Sequence, residues 1–176
     1  DEAGQVLTAV KIELDLEGRK EAGEMVGRAL AQVRDLSNLL RPTVLDDLGL
    51  VPALRGLVDD FSKRTRIEAT LACSDTLGPL ADEQQVVIYR VVQEALTNVA
   101  RHAGAHRVQV RIEAADDRVR LAVQDDGRGV SGEPTPHLGL LGIRERVTTL
   151  GGTLVIEGAP GRGFRIEADI PAGATA

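Results

Sequence analysis

The stretch LAVQDDGRGVSG, residues 121–132, poses the first question about the fold. Its second half, Gly127-Arg128-Gly129-Val130-Ser131-Gly132, fits G-x-G-x-x-G letter for letter and follows an alternating, strand-like run. A dinucleotide loop needs a helix to begin inside the glycine motif, so that the helix N-terminus meets a pyrophosphate. Here Glu133-Pro134-Thr135-Pro136 follows, and two prolines at that spacing prevent such a start. The strands on the N-terminal side, near Arg107–Ala114 and Arg118–Gln124, are joined by the turn Ala115-Asp116-Asp117 and read as a hairpin rather than as part of a βαβ unit. The fingerprint match is therefore accidental. What remains is Asp125-Asp126-Gly127-Arg128-Gly129, a strand-end carboxylate followed by alternating glycines.

Two readings of that element stay open on its residues alone. It is a turn with an Asx cap, or it is a flat ligand site in which glycines without Cβ admit a ring and the carboxylate accepts a hydrogen bond from an exocyclic amino group. Adenine carries that donor, whereas guanine carries an oxygen at the equivalent position. Other phosphate and metal motifs are missing. No G-x-x-x-x-G-K-[ST] occurs, and the chain has three lysines, Lys11, Lys20 and Lys63. The oxygen ligands of an EF-hand are not spaced here.

Around this loop the pattern is α+β. Ile67, Ala69, Leu71 and Cys73 alternate as in a strand. A helix is predicted over Ala81–Ala103, with Ile88, Val92, Ala95, Val99 and Ala103 inward. A short helix over 138–150 ends at Gly151-Gly152. A last hairpin runs Thr153–Gly158 and Phe164–Ile170. Hairpin-linked strands cannot all be parallel, so a mixed or antiparallel sheet with helices on one face is expected. On the N-terminal side, Ala3, Leu7, Val10 and Leu14, then Ala22, Val26, Ala29, Val33, Leu36 and Leu40, form heptad-like seams on either side of Glu17-Gly18-Arg19. Such a hairpin either packs on its own domain or completes a four-helix bundle with a second copy, and the dimer is the expectation. Pro42 ends the second helix, and Asp46 and Asp47 offer N-caps for a further helix to about Thr65. The expected organisation is thus 1–65 for the helical region and 66–176 for the α+β domain, with the boundary between Thr65 and Ile67.

Composition narrows the function. Hydrophobic residues make up 43% and aromatic residues 2%, so the core is aliphatic. No apolar run approaches the ~18 residues of a membrane span, and the opening residues carry no signal-peptide pattern. Cys73 is the single cysteine, which excludes a disulfide framework and suggests a cytoplasmic setting. A net charge of −6 without a basic face argues against nucleic acid as a partner.

Two further elements flank the glycine loop. Glu94, Asn98 and His102 lie at i, i+4 and i+8 on one helical face, with Arg101 beside them. Gly139-Leu140-Leu141-Gly142 opens a helix whose free N–H groups suit a phosphate. Singly, each reads as a solvated stripe or a cap. In this order the chain resembles the ATP-binding domain of bacterial sensor histidine kinases, through QEALTNVARHA (93–103), DDGRG (125–129), GLLG (139–142) and PGRGF (160–164). DEAGQVLTAVKIELDL and LLRPTVLDDLGLVPAL resemble the dimerisation and phosphotransfer helices of the nitrate-sensor-like subgroup, so the resemblance spans essentially the whole chain.

The resemblance implies Mg-ATP as cofactor and a set of roles. Asn98 would be the magnesium ligand, and Glu94 would assist at the metal or the reacting phosphate. Arg101 and His102 would lie near phosphates, and Asp125 would read the adenine amino group. Gly127, Gly129, Val130, Gly139, Leu140 and Gly142 would shape the nucleotide pocket and its lid, with Ser131–His137 as the lid segment. Asp1 would support a phosphate-accepting histidine expected immediately upstream of it, and Gln5 would orient water for dephosphorylating a response-regulator receiver domain. A homodimer is implied, with any membrane anchor confined to an upstream region. Phe164 departs from relatives that carry a hydroxyl residue after the second glycine of the last box, so the third phosphate contact that the resemblance would imply there is not carried over to this chain. Two other readings stand beside this one: a non-catalytic, ATP-binding dimeric scaffold that docks a regulator, and a self-standing ATPase.

Overall fold

The computed structural model describes residues 42–74, 77–129 and 138–173. The expected helical hairpin, with Asp1 and Gln5, lies outside the described residues, as do Val130 and the Ser131–His137 segment.

Helix α1 spans Thr43–Leu48 and helix α2 spans Leu50–Thr65. One helix starting at Asp46 or Asp47 was expected, and the correction has a local cause. Gly49 takes φ +78 between the two helices, and its N–H closes α1 on the Leu45 carbonyl at 3.0 Å. Both aspartates fall inside α1 rather than at a cap. Leu54, Val58 and Phe61 of α2 are buried. At its end, Ser62 Oγ donates to the Ile67 carbonyl at 2.7 Å and accepts from the Ala69 N–H at 2.9 Å, which ties the helix to the next strand.

Strand β1 (Glu68–Cys73) leads into helix α3 (Asp82–Asn98), which runs on as a π-helical turn, Val99–Ala103, in place of the α-helix expected to Ala103. Strands β2 (Arg107–Ala115) and β3 (Arg118–Asp125) form the expected hairpin. Helix α4 (Leu138–Thr149), β4 (Thr153–Gly158) and β5 (Phe164–Pro171) complete the order. Among the described residues the strands make one five-stranded sheet, ordered β1-β2-β3-β5-β4. β1 runs parallel to β2, and the other neighbours are antiparallel. The sheet is therefore mixed, and its parallel pair is linked through α3 as a crossover requires.

Register and alternation decide which face is covered. Val108, Val110, Ile112, Val119, Leu121, Val123, Ile166, Ala168 and Ile170 point to one face and are buried against the helices. The alternate residues are open to solvent, where Arg118 and Arg120 meet Asp169 and Arg165 meets Glu167. Helices α2, α3 and α4 share one core with the inner face. The expected boundary between Thr65 and Ile67 falls at the α2–β1 junction, inside the compact unit Thr43–Ala176 that holds both α2 and the sheet.

One buried polar side chain closes the sheet end away from the glycine loops. Gln84 is 2% exposed. Its Oε1 accepts from the Ala81 N–H at 2.7 Å, and its Nε2 donates to the Pro171 and Gly173 carbonyls at 2.8 and 3.0 Å. Leucine there leaves all three backbone groups without their partner. The expected outcome for Gln84→Leu is a loss of about 2–4 kcal/mol in urea unfolding. Gln84→Glu should lose at least as much, because a carboxylate cannot donate to the two carbonyls.

Candidate functional site

β3 delivers Asp125 to the helix-covered face, in the row of Val108 and at the end of the alternation Val119, Leu121, Val123. The same alternation that buries those apolar side chains buries a carboxylate: Asp125 is 4% exposed. The Gly127 N–H donates to its Oδ1 at 2.8 Å. Burial pushes the Asp125 carboxyl above the usual carboxylate range. The N–H groups of Gly127 and Phe164 oppose that shift, and the neighbouring charge of Asp126 adds to it. A carboxylate kept in so dry a place without a cation as its main partner is costly, which marks the position as a candidate functional one.

The glycines around it work by close approach. Gly127 lies against the Ala103 carbonyl, and a Cβ there would sit 2.8 Å from Asp125 Oδ1. Gly163, at φ +75, covers the backbone of Asp125, where a Cβ would meet the carbonyl carbon at 2.9 Å. Gly129, with φ +67, rests on Ala159. The loops 125–129 and 159–163 thus interlock, with the Gly161 N–H on the Arg128 carbonyl at 2.8 Å. Gly142 differs, since no described atom comes within 4 Å of the place of its Cβ.

α3 brings the other candidates. Glu94 and Asn98 lie one turn apart in α register, both half-buried. That register stops at Asn98, because the next five residues are π-helical. Arg101 and His102 are therefore exposed on a widened turn rather than stacked one turn above Asn98 as the regular spacing implied. Single-turn π segments are frequent at functional sites. The amide nitrogen of Asn98 is buried and has no hydrogen-bond partner among the described residues. A buried unmet amide of this kind fits a place where a ligand completes the bonding. The Glu94 carboxylate lies directly on Gly139, where a Cβ would overlap Oε1 and stand 3.1 Å from Oε2. This contact brings the start of α4 to the stripe on α3. Leu140 is buried in the core, 4% exposed.

The structure thus gathers Glu94, Asn98, Asp125, Gly127, Gly129 and Gly139 at one end of the sheet. Three participants were absent from the candidate residues read from the sequence: Asp126, Gly163 and the Ala103 carbonyl. PGRGF signalled Gly163, but no pattern in the sequence pairs a carbonyl at 103 with a glycine at 127. Among the described residues no cluster of three or more His, Cys, Asp or Glu could hold a metal ion, and no helix is long and apolar enough to cross a membrane.

Comparison with known proteins bears on this arrangement. The pattern of the histidine kinase-, DNA gyrase B- and HSP90-like ATPases matches residues 83–174, just over half of the chain. The sensor histidine kinase MctS of Rhizobium johnstonii is 37% identical over 174 residues, covering 89% of this chain and 38% of that protein. The signal transduction histidine-protein kinase/phosphatase UhpB of Salmonella typhimurium is 34% identical over 185 residues, covering 97% of this chain and 37% of its own length. The chain thus spans under two fifths of the length of these relatives. In fold it is similar to the blue-light activated histidine kinase of Erythrobacter litoralis EL346, with a TM-score of 0.64 at 21% identity over 94% of this chain and 59% of that one. It is also similar to the Acinetobacter baumannii histidine kinase AdeS, with a TM-score of 0.62 at 16% identity over 97% and 95%. The chain belongs to the family of histidine kinase-, DNA gyrase B- and HSP90-like ATPases, and relatives named as sensor histidine kinases align along most of its length.

Proposed function

We propose that this chain is the ATP-binding core of a protein-histidine kinase in a two-component system. The observation that carries the reading is the buried, glycine-wrapped Asp125 at the same end of the sheet as Glu94 and the unmet amide of Asn98. In this reading the Asp125 carboxylate accepts the 6-amino hydrogen of adenine, while Gly127, Gly129 and Val130 leave room for the ring. Gly139, Leu140 and Gly142 shape the start of α4 beside the phosphates, with Arg101 and His102 as neutralising groups. The amide oxygen of Asn98 suits magnesium, a hard cation that keeps water and phosphate oxygens around one or two protein ligands, while its unmet amide nitrogen is a donor suited to a phosphate oxygen. When bound, magnesium supplies charge neutralisation across the phosphates. Glu94 would orient water at that ion or the reacting phosphate.

The reaction proposed is in-line transfer. The bond from the γ-phosphorus to the β–γ bridging oxygen breaks, a nitrogen–phosphorus bond forms at a histidine imidazole, and ADP leaves. The acceptor is a histidine immediately upstream of Asp1, whose carboxylate would hold the imidazole and take its proton. From there the phosphoryl group passes to a receiver-domain aspartate of a response regulator, and Gln5 would orient water for the separate phosphatase reaction, in which the aspartyl phosphate is hydrolysed and inorganic phosphate leaves. Homodimerisation through the N-terminal helices and a cytoplasmic location complete the proposal.

Two measurements test the pocket. The first is calorimetry with ATP and GTP in the presence of magnesium. The wild-type chain should bind ATP and discriminate against GTP. Asp125→Asn should lower ATP affinity about tenfold and narrow the ATP:GTP ratio, because a carboxamide can also donate to the guanine oxygen. The same variant should unfold at a higher temperature without ligand, since it no longer buries a charge. An unchanged ATP:GTP ratio would count against Asp125 as the base-reading group.

The second is the pH dependence of ATP binding. The folded Asp125 carboxyl protonates at a higher pH than the ordinary 3.8. Affinity should therefore fall, as pH is lowered, through a midpoint above that value. For the stability of the unliganded fold the sign reverses. A carboxyl more readily protonated when folded contributes fully at low pH, and that contribution is lost as pH rises through the folded value. Denaturation of wild type and Asp125→Asn across this window should show the two stability curves converging at the acidic end.

A further inference from the structure

Asp126 is exposed and stands beside the buried carboxylate. Its surroundings are unusually specific for a surface side chain. Oδ1 accepts the N–H groups of two successive residues, His106 and Arg107, both at 2.8 Å. The Asp126 N–H returns to the Arg107 carbonyl at 3.2 Å. Two residues on, the Arg128 N–H donates to the Ala103 carbonyl at 2.9 Å, with Gly127 pressed on the same oxygen. The segment 103–107 is the covalent link between the Asn98 helix and β2, and it bends through Gly104 at φ +59. It is therefore fastened at both ends to the residues that follow Asp125.

From this geometry we propose that Asp126 is a positioning residue: its carboxylate sets the spacing between the group that reads the purine, Asp125, and the amide one π turn away that faces the phosphates, Asn98. The proposal rests on the ATP-binding reading above and deepens it. The simpler role, an Asx cap that stabilises the start of β2, predicts something different. His106 and Arg107 are exposed, so water can replace the lost acceptor at little cost in stability. What water cannot replace is the fixed distance between two subsites that one ligand must span. A ligand bridging both loses affinity when that distance drifts, whereas a ligand filling only one does not.

The test compares wild type with Asp126→Ala, Asp126→Asn and Asp126→Glu. Binding of Mg-ATP is measured by calorimetry. Adenosine and magnesium tripolyphosphate are followed separately by NMR shift titration, and thermal unfolding confirms that each variant is folded. Asp126→Asn keeps an oxygen that accepts both N–H groups and should bind Mg-ATP within about twofold of wild type. Asp126→Ala removes the acceptor, and Asp126→Glu keeps the charge but moves the oxygens by a methylene. Both should weaken Mg-ATP about tenfold while adenosine and tripolyphosphate stay within about twofold. The inference is overturned if Asp126→Ala or Asp126→Glu binds Mg-ATP as wild type does. It is also overturned if either half-ligand weakens in the same proportion as ATP, or if Asp126→Asn is as weak as Asp126→Ala. Should Asp126→Ala fail to fold, the Asn and Glu variants decide between them. A wild-type chain that binds no Mg-ATP removes the parent reading as well, an outcome distinct from all of these.

Discussion

The Ala103 carbonyl is where the rest of the site is joined. It ends a π turn, accepts the Arg128 N–H at 2.9 Å, and leaves no room for a side chain at position 127. The π turn ends the regular register at Asn98 and presents Ala103 to the loop after β3. With the bonds of Asp126 to His106 and Arg107, this acceptor brings a helix carrying Glu94 and Asn98 and a strand carrying Asp125 to the same rim of the sheet. Gly127 is the condition for it, because any Cβ at that position would collide with the carbonyl.

Around that joint the fold places polar groups where burial works against them. Asp125 continues the inward alternation of β3, so the pattern that makes the core also desolvates the carboxylate. Gln84 shows how the fold treats a buried polar group that serves only stability: every donor and acceptor it uses meets a backbone group. Asp125 and Asn98 are treated differently. One is held as a carboxylate against its burial, and the other keeps a buried amide nitrogen without a partner among the described residues. A desolvated carboxylate and an unmet buried amide nitrogen at the same end of a sheet are the kind of polar capacity that a ligand site leaves open.

Much of this is legible in the amino-acid sequence. The alternations 107–114 and 118–124 and the hairpin 153–170 appear as strands within a residue or so of their expected ends, and Asp116 and Asp117 form the expected turn. The prolines after Gly132 ruled out a dinucleotide loop by backbone sterics alone. The helix break at Gly49 was missed because aspartates at 46 and 47 mimic a cap, and only the φ of +78 at Gly49 shows where the chain turns. The helical stripe was legible as far as Asn98. Past it, spacing arguments assume a constant period, and a π turn breaks that assumption without leaving a mark in residue types.

The sequence by itself determined the α+β class, the position of the strand-end carboxylate and the glycine-rich loops beside it. These follow from local sterics and from periodicity, which act over a few residues. Tertiary structure alone decided that β1 pairs with β2 in parallel, that Glu94 rests on Gly139, and that Asp126 and Ala103 fasten one loop to another. Those contacts join residues far apart along the chain, and neither partner's identity carries information about the other. They form because a backbone N–H or carbonyl left over from one element must find its partner in whatever element the packing brings beside it.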